Sequence, residues 1–286
     1  MTIRDVFENY WCPISPEYPK PQKNNNILNV FDTFLIGWRF YLITLSLLSI
    51  TLLLGAYNFF ISFGLMLIVS LSIHWIWGWA ELPFLASSGP LLAGGYVITS
   101  ISARLVYLLA EYSGLNLYPW TGADWVENSK LNADIASTWL SSSPFTCVGI
   151  LFITILLAFI VGGFTGLLIV SPGLGKSKVY VAIISYALVD IVPKLLSGKG
   201  GQYALVYTPN LFIFAGEHRL LYMSGLVLFV IFIGLLGYNR LRGSRFGFDV
   251  KNRADFHVLG RAMFLGCGLI GVAGSLLSLY YLYVYQ

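Results

Sequence analysis

The chain has 286 residues, 57% of them hydrophobic and 10% charged, with a formal net charge of +4. Soluble domains average about 25% charged residues, so a soluble globular fold is excluded, and so small a positive charge is no nucleic-acid signature. The apolar residues come in continuous runs of about 20, the length a helix needs to cross a bilayer core. In lipid each segment must satisfy its own backbone hydrogen bonds, which selects helices where strand alternation is missing. The expectation is an all-α integral membrane protein: a polytopic helical bundle of about seven transmembrane helices, with six and eight as alternatives.

In chain order, residues 1–30 form a polar N-terminal tail, ending in PEYPKPQKNNN and the first hydrophobic residues. A cleavable signal peptide would place its apolar segment earlier, so none is expected. Residues 31–286 then read as a single transmembrane helical domain, with spans at 33–54, 57–79, 88–110, 145–170, 179–197, 220–238 and 258–284. The stretch 203–216, YALVYTPNLFIFAG, is shorter and contains Pro209. It reads as a re-entrant or interfacial segment, an eighth span being the alternative.

Orientation follows from Lys and Arg in the short loops. The basic loop, 239–257, holds Arg240, Arg242, Arg245, Lys251 and Arg253. Placing it on the cytoplasmic side, with seven spans, puts the N-terminus inside as well. The same count puts SPGLGKSK, 171–178, inside. That segment imitates the end of a phosphate-binding loop, yet Val170 stands where such a loop needs glycine and apolar runs flank it on both sides. Lys176 and Lys178 are therefore read as orienting charges on a tight turn, and neither nucleotide nor nucleic acid is expected as a partner.

The long extramembrane loop, 111–144, falls outside and carries Glu111, Asp124, Glu127 and Asp134 against Lys130. Its length exceeds what chain reversal needs. It is expected to lie at the interface, anchored by Trp120, Trp125 and Trp139, and to cover the bundle or meet a partner.

Ionisable residues within spans are costly and are functional candidates by default. Arg104 lies in the third span with Glu111 two turns further along the same face. Asp190 and Lys194 stand four apart in the fifth span, a spacing that allows an ion pair. These four form the candidate transport or polar cluster, near Glu217, His218 and Arg219; the structural alternative is a helix clamp and a helix-end pair. The histidines, His74, His218 and His257, each fall near a predicted helix end. A bis-histidine haem is disfavoured by that placement, while one histidine could still hold a single-ligand tetrapyrrole pigment. His74 sits in HWIWGW, whose tryptophans read as an interfacial belt.

Gly162 and Gly166, and Gly266, Gly268, Gly271 and Gly274, have spacings suited to close helix packing, with a flat pigment or acyl chain as the other reading. Cys12, Cys147 and Cys267 lack metal or redox spacing and read as buried thiols. No metal site and no catalytic group is expected.

The fragments FDTFLIGWRFY (31–41), GGYVIT (94–99) and GEHRL (216–220) resemble pieces of the L and M subunits of photosynthetic reaction centres, and GRAMFLG (260–266) resembles part of a light-harvesting helix motif. The resemblance implies pigment binding. The chain departs from the five spans and mid-membrane histidines of the first family, and Phe256 stands where the second has a glutamate.

The functional expectation is a non-catalytic integral subunit of a larger, energy-transducing membrane complex, packed against other integral membrane subunits, structural lipids or pigments. The alternative is a transporter or channel for a small anion or proton, using Arg104, Asp190 and Lys194.

Overall fold

The computed structural model describes residues 53–82, 84, 87–119, 125–170, 181–187, 208–242, 245–252 and 256–284, together with 46, 49 and 50. Among them, regular structure is helical throughout, and five helices are long and apolar enough to cross a membrane: Tyr57–Gly78, Ser88–Tyr112, Pro144–Val170, Ile213–Tyr238 and Val258–Tyr281. The protein is an integral, multi-pass membrane protein. These helices coincide with five of the expected spans. The spans expected at 33–54 and 179–197 fall mostly outside the described residues, although 181–187 are helical.

Helix α1, Tyr57–Ile73, follows a turn at Gly55, whose φ of +70° is a region glycine enters without a Cβ penalty. It runs on into a wider π-helical turn, His74–Trp79, and stops at Glu81, a non-glycine residue with φ 51°. The second span is likewise composite: α2, Ser88–Tyr96, a π-helical turn, Val97–Ser102, and α3, Ala103–Tyr112. Pro90 fits in the first turn of α2, where the missing N–H has no intrahelical partner to lose.

Two connections that read as loops contain helices. The outer connection folds into α4, Trp125–Ser141, before α5, Pro144–Val170, begins on proline. Residues 208–212 are coil and turn, and a 3₁₀ turn, Ile213–His218, leads into α6, Arg219–Arg242. The Pro209 segment therefore enters α6 irregularly over its described part. In the basic connection, α7, Arg245–Asn252, buries Phe246 and Val250. The chain continues through α8, Phe256–Val284.

Helix α8 is the centre of the bundle, its membrane window 72% buried against 33–50% for the other four. Glycine makes that position possible. A Cβ on Gly162 of α5 would approach the Cys267 carbonyl to 2.6 Å, and one on Gly166 would reach the Met263 carbonyl at 2.7 Å. On the other flank a Cβ at Gly274 would collide with the Leu91 backbone of α2. The packing reading of these glycines holds, because without a hydrophobic drive between helices in lipid, close backbone approach supplies the contact. Buried Cys147 and Cys267 are free thiols, as expected; Cys12 lies outside the described residues.

Candidate functional site

At the outer end, α4 is tied down by directed hydrogen bonds. Its inner face buries Ser129, Asn132, Ala136 and Leu140, while Glu127, Lys130, Asp134 and Thr138 stay exposed. The Tyr107 hydroxyl donates to the Ser129 carbonyl at 2.8 Å. The Asn132 amide donates to the Tyr118 carbonyl at 2.9 Å and accepts from the Tyr118 N–H at 2.8 Å. The Asn210 N–H donates to Ser137 Oγ at 2.8 Å, joining α4 to the segment before α6. Over its described residues this connection thus lies against the end of the bundle, held by α4. Trp139 packs half-buried against the core, and the side chains of Trp120 and Trp125 lie outside the described residues.

Arg104 and Glu111 are both exposed on α3, and Glu217 and His218 are exposed on the 3₁₀ turn; both elements pack against α4. Asp190 and Lys194 lie outside the described residues, so the described part of the candidate cluster is Arg104 and Glu111 on one helix face. His218 is at the outer end, whereas His74 and the backbone of His257 belong to the basic-loop end. The side chain of His257 is outside the described set.

The basic-loop end holds an aromatic cluster. Trp75 is buried and departs from the expected interfacial belt: its indole N–H donates to the Ala262 carbonyl at 3.1 Å. Its ring stands edge-on to Tyr238 at 5.7 Å and stacks on Phe246 at 6.1 Å. The physical reason is the contact with α7, whose buried Phe246 stacks on the indole, together with the hydrogen bond that ties the indole N–H to α8. His74, one residue earlier, is exposed, with its ring 5.9 Å from Tyr238. Gly78 leaves room for that ring, since a Cβ there would come within 2.8 Å of His74 Nδ1.

Beside this cluster lies a cleft in two parts that share Leu71, Gly234, Tyr238 and Leu269. The larger part, about 380 Å³, lies between α1 and α6 and includes Ser70 and His74. The smaller part, about 230 Å³, reaches Trp75, Phe159, Gly237, Leu265 and Gly266 and is almost wholly apolar. Apolar walls with a few polar groups at one end characterise small-molecule sites. Among these residues the sequence had marked His74, Trp75 and Gly266. Ser70, Gly234, Gly237 and Tyr238 went unnoticed, and no local signal marks them, because they meet only when α1 and α6 pack side by side.

With this geometry in place, similarity to a known protein separates the functional readings. Over 235 residues the chain is 29% identical to a protein of Methanocaldococcus jannaschii named "Probable branched-chain amino acid transport permease protein LivM", covering 76% of this chain. The chain is similar to a transport permease. It spans 65% of that relative's length, less than two thirds. No family model and no solved structure matches. The similarity supports membrane transport, the coarser part of the alternative among the sequence expectations, and not a small anion or proton as cargo; it does not support energy transduction, and a role as a complex subunit is not confirmed by it.

Proposed function

We propose that this chain is a membrane-spanning permease subunit that carries branched-chain amino acids beside other integral membrane subunits. The single observation that carries this reading is the 235-residue similarity to the archaeal permease. The fold agrees with it. A glycine-packed central helix supports several spans, and large apolar side chains such as Phe59, Met66, Phe152 and Phe229 stay exposed for lipid or neighbouring subunits.

The test is uptake. The assembly containing this chain would be extracted from its native membrane in mild detergent, reconstituted into vesicles, and supplied with radiolabelled leucine, isoleucine and valine. Saturable uptake of these three, competed by one another and not by lysine or glutamate, is the expected result. An intact assembly that neither binds nor moves any of them would sink the proposal.

A further inference from the structure

The two-part cleft between α1, α6 and α8 divides as a branched-chain amino acid does. The part lined by Trp75, Phe159 and Leu265 offers an aliphatic and aromatic lining to an apolar side chain. The other part offers Ser70 and His74, groups that both donate and accept hydrogen bonds, as an ammonium and a carboxylate on one carbon require. Among the described lining residues none is Asp, Glu, Lys or Arg, so the cleft suits a zwitterion without a charged side chain.

The glycines of α6 add a separate point. At Gly271 and Gly274 of α8 glycine is demanded by backbone contact, but a Cβ on Gly237 would meet nothing within 4 Å, and one on Gly234 would make only an ordinary 3.6 Å contact with Leu71. Glycine inside a helix costs about 1 kcal/mol relative to alanine. Packing within the described residues gives no reason to keep it at these two positions. Gly225 of the same helix has equally open space, so what sets Gly234 and Gly237 apart is that both border the cleft.

We infer that this cleft binds the transported amino acid, its branched side chain in the apolar part and its charged groups toward Ser70 and His74, with Gly234 and Gly237 setting the size of side chain accepted. The inference rests on the proposed function and names the site and the specificity residues for it.

The test compares Gly237→Val and Gly234→Val with Gly225→Val in the reconstituted native assembly. Gly225 lies on the same helix, has nothing within 4 Å of a Cβ, and is outside the cleft. The readout is the ratio of leucine to valine uptake, with co-purified lipid measured on the same samples. One methylene in a hydrophobic pocket discriminates about 10- to 200-fold, so Gly237→Val and Gly234→Val are expected to lower the leucine:valine ratio about tenfold or more, while Gly225→Val keeps it.

An unchanged ratio in variants that still transport overturns the inference. So does an equal fall for both substrates, which would mark a structural role, and so does loss of a bound lipid with selectivity intact, which would make the cleft a lipid site. Absence of branched-chain uptake in the unmodified assembly is a different result, since it removes the transport reading itself.

Discussion

Gly94 of α2 and Gly271 of α8 meet with no room for a side chain between them: a Cβ on Gly94 would fall on the Gly271 carbonyl. Gly271 in turn has no room toward Ala158 and Gly162 of α5. Three helices therefore converge on one glycine contact, and the closeness of their backbones holds α8 at the centre.

Gly94→Ala is accordingly expected to destabilise the protein by about 1–3 kcal/mol, the range for overpacking a filled interior. Gly225→Ala, where there is open space, should leave stability unchanged or raise it, since alanine is the better helix former. Melting temperature in one detergent, with gel-filtration profile as a second measure, checks the pair. Equal behaviour of the two variants would refute the contact.

Asn132 makes both of its bonds to the Tyr118 backbone from a fully buried position. Asn132→Ala removes the partner of one N–H and one carbonyl together; Tyr118 is half exposed, so water can take their place, and the expected cost is about 0.5–1.5 kcal/mol for each hydrogen bond lost. Hydrogen exchange at Tyr118 should accelerate, with α5 and α8 unaffected. Protection as strong as in the unmodified protein would show that α4 is held otherwise.

Trp75 combines burial with one hydrogen bond across to α8. Trp75→Phe keeps most of the apolar ring and loses the N–H, for an expected cost of about 1 kcal/mol. Trp75→Ala also leaves a void beside the cleft and should cost about 3–5 kcal/mol. Thermal unfolding of both variants measures the gap between them; a gap near zero would place the indole outside the packed interior.

Arg104 separates two transport routes. It is exposed on α3 and is absent from the cleft lining. Arg104→Gln should leave leucine uptake within about twofold, the range of surface substitutions away from special features. Abolished flux with the assembly intact would instead favour a path along Arg104 for a small anion or proton.

The spans were legible because a membrane helix announces itself locally. The run from Pro144 to Val170 is apolar over its whole length and opens on proline, so its start differed by one residue from the expected 145. The last span, expected at 258–284, is a helix over Phe256–Val284. Gly162, Gly166 and Gly271 were legible as packing residues for the same reason, since their spacing repeats along one helix face. Gly94 was less visible: it stands beside Gly95 without that repeat, and its partner is on another helix.

The sequence by itself determined that the chain lies in a membrane, that it crosses as helices, and where five of those helices run, because hydropathy and length are properties of contiguous residues. Only the tertiary structure decided that α8 is central, that α4 is bound across the outer end through Asn132 and Ser137, and that Ser70, His74, Gly234 and Tyr238 border one cleft. The physical reason is separation along the chain. Those relationships join residues far apart in sequence, and they arise from how closely backbones can approach and where directed hydrogen bonds close, neither of which is written in any single segment.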